Sequence, residues 1–209
     1  MYFNQEELNI YNLNKLAAGS DEAGRGCLAG PVFAASVILP NNFDCSIIDD
    51  SKKLTLHQRN LAYEQLIDKS IDYSIDSTDN FEIDKINILQ SSVKSINSTL
   101  DNLKLKPDIC FIDGNYFRSD NHKYQTIVKG DSKFACIAAA SILAKVSRDN
   151  WMINIAAELY PQYHFDLHKG YATKLHFEMI DRFGICALHR LTFLRKYQER
   201  TNQLKIFTY

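Results

Sequence analysis

The chain has 209 residues, 45% hydrophobic and 23% charged, with a formal net charge of −1 at pH 7. That length supports one domain with a real core and leaves little room for a second. The near-neutral balance removes any bulk sign of nucleic acid, so such a partner must meet a local basic patch. One segment is basic: Lys169 to Lys205 carries eight cations (Lys169, Lys174, Arg182, Arg190, Arg195, Lys196, Arg200, Lys205) against Glu178, Asp181 and Glu199. From charge alone it reads as a solvated helical face. Residues 1–12 contain acids and no long apolar core, unlike a signal peptide. No apolar run approaches the ~20 residues that span a bilayer. Five cysteines without a CxxC pair argue against a disulfide framework or a zinc site and fit a reducing cytosol.

In chain order, Leu16 to Ser20 is a short strand candidate. Val32 to Leu39, flanked by Gly30-Pro31 and Pro40-Asn41, reads as a buried strand. Thr55 can cap a helix to about Lys69, and Ile71 to Ser77 alternates like a half-buried strand. Ile86, Leu89, Val93, Ile96, Leu100 and Leu103 form one apolar stripe, which predicts a helix over about Ile83 to Leu103, stopped before Pro107. Ile109 to Asp113 and Tyr124 to Lys129 are further strands. Phe134 to Leu159 reads as helix, and its Ala138–Ser141 run lets it approach a sheet closely. Thr173 to Phe183, with Gly184 as C-cap, and Phe193 to Gln203 are the last helices. A hairpin-like pair of strands followed by strands interleaved with helices predicts an α/β fold with a mixed sheet.

Four acids stand at element ends beside glycines: Asp21 and Glu22, Asp113, and Asp131. Carboxylates that converge without counter-charges repel one another, and a hard divalent cation relieves that repulsion. Singly, each acid reads as a cap or turn residue. Asp21 and Glu22 raise a further difficulty: in a regular strand they point to opposite faces, so both serve one site only if the strand bends or ends there. Gly24-Arg25-Gly26 offers amides and a cation to a phosphate or sugar, or is an ordinary tight turn. Lys52 and Lys53 in Asp50–Lys53 offer phosphate contacts, or belong to a solvated loop. Ser141 and Lys145 share a helical face four residues apart. Tyr171 can stack on a sugar or base, or sit on a rim. His168, His176 and His189 lack compact zinc spacing and read as core or surface residues. No nucleophile elbow, phosphate loop or dinucleotide fingerprint occurs.

Six blocks resemble the ribonuclease HII family in order and spacing: AGSDEAGRGCLAGPVFAASVIL (Ala18 to Leu39), DSKKL (Asp50 to Leu54), FIDGN (Phe111 to Asn115), IVKGDSKFACIAAASILAKVSRD (Ile127 to Asp149), HKGYATKLH (His168 to His176) and HRLTF (His189 to Phe193). The resemblance implies a single ribonuclease H-like domain over residues 1–209, a mixed sheet flanked by helices. A helical C-terminal part from about residue 165 would contact substrate. It implies an endonuclease that cuts the RNA strand of RNA–DNA hybrids and nicks duplex DNA 5′ to embedded ribonucleotides, a monomer with no membrane partner. Asp21, Glu22, Asp113 and Asp131 would ligate two Mg²⁺ or Mn²⁺ ions, with Asp149 a structural acid outside the set. Gly24, Arg25 and Gly26 match the loop that reads the 2′-hydroxyl, and Tyr171 matches the tyrosine that stacks at the RNA–DNA junction. Lys52, Ser141 and Lys145 are carried over as phosphate or structural contacts.

This chain departs from the family pattern at Cys27, Cys136, Ala172 and Leu188, none of them a proposed ligand. Ribonuclease HIII is the nearest rival; it typically shows GKG where this chain has Gly24-Arg25-Gly26, and a substrate-binding domain before the catalytic one. A silent hybrid-binding protein, or a structural α/β protein, leaves either the four acids or the six blocks without purpose.

Overall fold

The computed structural model describes residues 4–13, 15–48 and 54–206. The region after residue 48 that carries Lys52 and Lys53 lies outside them. A helix, α1 (Gln5–Asn12), precedes the strands β1 (Ala17–Ala23) and β2 (Val32–Ile38). Then come α2 (Leu56–Lys69), β3 (Asp72–Thr78), α3 (Asn80–Ile86), α4 (Ile88–Asp101), β4 (Ile109–Asp113) and β5 (Tyr124–Ile127). The sheet order is β3-β2-β1-β4-β5. β1 pairs antiparallel with β2 and parallel with β4, so the sheet is mixed, as the order of elements predicts.

α2 begins where Thr55 and Gln58 form a reciprocal capping box. The stripe predicted as one helix is two. Asn87, at φ 68°, breaks the backbone between α3 and α4. Its side chain accepts from Leu89 and Gln90 N–H and starts the second helix. Its ψ of 164° lies outside the left-handed helical region, in backbone space that side chains rarely enter, while its carboxamide caps the new helix.

α5 (Ala135–Trp151) covers one face of the sheet and α4 the other. The predicted small-residue run packs as expected: Ala138, Ala139 and Ala140 are fully buried. Gly19 makes the approach possible, because a Cβ there would fall 2.2 Å from the Cys136 carbonyl carbon. α1 had no reading in the sequence, yet its Glu7 carboxylate is buried and accepts from the Ala135 and Cys136 N–H groups, capping α5.

After α5 the chain passes through a π turn (Met152–Ala156), α6 (Ala157–Leu159) and α7 (Phe165–His168), then α8 (Lys174–Phe183) and α9 (Leu191–Ile206). Thr173 caps α8, and Gly184 ends it at φ 77°. These elements close a separate core of Leu28, Met152, Tyr163, Phe165, Ile180 and Leu194 against the β1–β2 connection. Among the described residues no helix is long and apolar enough to cross a membrane.

Candidate active site

β1 is longer than predicted: it runs through Ala23, so Asp21 and Glu22 lie inside the strand rather than after it. Asp21 pairs with Ala35, whose side belongs to the α5 core, and Glu22 pairs with Ala34, on the α4 side. Their Cβ atoms therefore leave opposite faces, as strand alternation demands.

Asp21 lies two residues beyond Gly19 on β1, and Ser141 lies about four beyond the Cys136–Ile137 contact on α5. Both steps cover ~6–7 Å. Asp21 thus comes beside Ser141, which pulls the carboxyl back down against the rise from burial. The sequence carried Ser141 over as a phosphate or structural contact; the fold sets it beside the acid.

Parallel pairing sets Ser20 beside Ile112, so the next residues, Asp21 and Asp113, are adjacent at the strand ends. Asp113 accepts the Gly130 N–H at 2.7 Å. That bond draws in the 3₁₀ turn Gly130–Ser132, and with it the buried Asp131. Burial, then the charges of Glu22 and Asp113, raise the Asp21 carboxyl well above its ordinary range. Glu22 is raised by burial as well, against the opposing pull of Arg25. Arg25 donates to Glu22 at 2.9 Å.

Asp21 and Asp113 therefore form a close pair, with Asp131 on the adjoining turn and Glu22, on the opposite face of β1, near enough for its charge to act on Asp21. Among the described residues no three His, Cys, Asp or Glu side chains are already gathered as a metal cage. The donor set nonetheless fits a hard divalent cation: it is made of carboxylates only, and burial and neighbouring like charge hold Asp21 and Glu22 above their ordinary range.

Beside the acids, the Gly24–Pro31 connection is held from beneath by buried cations that the sequence did not single out. Arg148 donates to the carbonyls of Pro31, Lys169 and Ala29, and Arg190 to those of Gly30 and Arg25. Both are fully buried. Arg190 thus leaves the solvated face to which its segment's charge assigned it. Gly24, at φ 95°, is required here, since a Cβ would fall 2.0 Å from Arg148 Nε.

Tyr171 is 37% exposed, and its ring lies 5.1 Å from Lys145 Nζ and 5.7 Å from Arg148 Cζ. It acts on Cys27, one of the positions that depart from the family pattern, lowering a thiol that burial pushes up. Lys145 also pairs with Asp149 at 2.8 Å.

A family model for Ribonuclease HII matches residues 18–196. The chain belongs to the ribonuclease HII family. It is a ribonuclease H, a hydrolase whose family acts as endonucleases on RNA–DNA hybrids. It is 48% identical over 187 residues to the Ribonuclease HII of Endomicrobium trichonymphae, covering 88% of this chain and 89% of that one. The ribonuclease H2 of Pyrococcus horikoshii OT3 superposes with a TM-score of 0.71 at 26% identity, over 88% of this chain and 98% of that one. Bst-RNase HIII, solved in complex with Mn²⁺, shares the fold at 18% identity and a TM-score of 0.58, over 87% of this chain and 67% of that one.

Proposed function

We propose that this ribonuclease HII incises duplex DNA on the 5′ side of an embedded ribonucleotide, besides cutting the RNA strand of hybrids, and leaves 3′-hydroxyl and 5′-phosphate ends. The observation that carries the reading is the adjacency of Asp21, within β1, and Asp113, at the end of the parallel strand β4, with the Asp21 carboxyl raised well above its ordinary range. Asp21, Glu22, Asp113 and Asp131 would hold two divalent cations, Mg²⁺ or Mn²⁺, which supply an activated water and charge stabilisation for the leaving 3′-oxygen. Bst-RNase HIII, a chain of the same fold, was solved with Mn²⁺.

The remaining roles fall to the protein. Ser141 orients Asp21. Gly24, Arg25 and Gly26 present main-chain groups toward a sugar, with Gly24 and Arg25 seated on the two buried guanidiniums. Tyr171 offers an exposed ring to the ribose or base at the junction. Lys145 adds a cation to the same rim. A site built to bond a 2′-hydroxyl rejects its absence strongly. Lys52, outside the described residues, is proposed as a phosphate contact. We take the chain as one catalytic domain acting as a monomer, with its part from about residue 165 lying along the duplex. Five free thiols suit a reducing cytosol.

The test is a duplex carrying one ribonucleotide, incubated with Mn²⁺ or Mg²⁺. The expected product is a single nick 5′ to the ribonucleotide. No cleavage by folded protein with either metal contradicts the reading.

A further inference from the structure

Three histidines gather against the main chain of the tyrosine loop, and the proposed reaction does not use them. His168, His176 and His189 are all buried. His168 stacks on His176 with ring centroids 4.2 Å apart, and His176 Nε2 meets His189 Nε2 at 3.1 Å. The partners at the two ends of each ring fix which nitrogen carries hydrogen. The Tyr171 carbonyl can only accept, so at 2.9 Å it takes a proton from His176 Nδ1. His176 Nε2 is then an acceptor, and His189 Nε2 must donate to it. His189 Nδ1 is left to accept from the Cys186 N–H at 2.9 Å. His168 follows the same logic: Nε2 donates to the Tyr163 carbonyl at 2.8 Å, and Nδ1 accepts from the Gly170 N–H at 3.1 Å. Burial pushes His176 and His189 down to about 4, so both are neutral near pH 7, as this directional chain requires.

The backbone on both sides of the Tyr171 side chain is thus gripped by imidazoles, at the Gly170 N–H and at the Tyr171 carbonyl. The grip leads back through His189 to Cys186, before α9. We propose that His176, oriented by His189, is a positioning residue that sets Tyr171 against the ribose and thereby sets the preference for a single ribonucleotide over a uniform hybrid. This rests on the reading of Tyr171 as the group that senses the junction. A half-exposed ring attached to a loosely held backbone would sample several positions. The relay removes that freedom through two consecutive hydrogen bonds, each with one permitted direction.

The test compares cleavage rates on a single-ribonucleotide duplex and on a uniform hybrid. In His189→Leu nothing donates to His176 Nε2, so His176 is free to exchange tautomer and release the Tyr171 carbonyl. The single-ribonucleotide to hybrid ratio should fall about tenfold, because small misplacements of a positioning group are costly. His189→Gln keeps a donor at the Nε2 position and should stay within about twofold of wild type. A merely structural role would lower the melting temperature and slow both substrates alike. The same contrast is available at His176, where Asn keeps the donor to Tyr171 and Leu removes it. Tyr171→Ala separates the two readings. An unchanged ratio there overturns the sensing role and the relay with it. A changed ratio there, with an unchanged ratio in folded His189→Leu, overturns the relay alone. Should the Leu variants not fold, long-range ¹⁵N spectra of the wild type decide: His176 must carry hydrogen on Nδ1 and His189 on Nε2, and any other pair of tautomers overturns the proposal.

Discussion

The acids on β1 and β4 and the tyrosine loop after α7 are held in opposite ways. At the acids, like charges face one another under burial, and the cost is left standing. In the tyrosine loop nearly every main-chain group has a partner: the Lys169 carbonyl takes Arg148, the Gly170 N–H meets His168, the Gly170 carbonyl takes Leu28 N–H, and the Tyr171 carbonyl takes His176. One region keeps like charges together under burial; the other has its main-chain groups paired. We propose the first for chemistry and the second for discrimination.

The largest expected effect breaks the first region. Asp21→Asn or Asp113→Asn should lower kcat by roughly a thousandfold, because charge stabilisation is lost at the reacting phosphate. The same changes relieve like-charge repulsion, so metal-free melting temperatures should hold or rise. A wild-type rate in either variant removes that residue from the proposed ligands.

Gly19→Ala comes next. The added methyl carbon has backbone, not a flexible side chain, 2.2 Å away, so α5 must shift. A loss of about 3 kcal/mol in denaturant unfolding is expected, with activity falling as Ser141 leaves Asp21. Unchanged stability would show that the α5–β1 contact is not the device that places Asp21.

pH distinguishes the regions by sign. His176 and His189 titrate near 4 when folded against about 6.5 when unfolded, so between those values the unfolded chain holds more protons. Their contribution is fully present above about 6.5 and is lost as pH falls toward 4, by up to roughly 1.4 kcal/mol per histidine per pH unit. Asp21 and Glu22 are raised, so they act the other way: the folded chain holds more protons, and stability rises as pH falls through their raised values. Asp21→Asn should therefore steepen the acid loss of stability, and His189→Gln should flatten it. Identical pH profiles for the variants and the wild type would erase the distinction.

The smallest expected effect is at Arg25, whose side chain is 49% exposed and pairs with Glu22. Arg25→Ala should change stability by less than about 1 kcal/mol, as exposed ion pairs do. Its mark should be a lower preference for single ribonucleotides, read from the rate ratio on the two substrates.

The sheet was legible in the sequence because hydrophobic period and turn residues are local. β2, α2 and β4 fall within a residue or two of their expected bounds. The two-helix break at Asn87 was not legible, since the apolar stripe continues across it. The four acids were visible through their glycine neighbours and the family resemblance, but the strand containing Asp21 and Glu22 was drawn too short. Arg148 and Arg190 were hidden because their partners are carbonyls more than a hundred residues away for all but one bond. In sequence a cation beside other cations reads as surface. The histidine relay was hidden for the same reason: its signal is an orientation, not a spacing.

A Mn²⁺ titration followed by the melting temperature, on wild type, Asp21→Asn and Asp113→Asn, bears most directly on the carboxylate pair. The wild type should rise with metal as ligand binding to the folded state requires, and the two variants should rise far less at the same concentrations. Equal shifts in all three proteins, or none in the wild type while it still cleaves in chelator, would contradict the assignment.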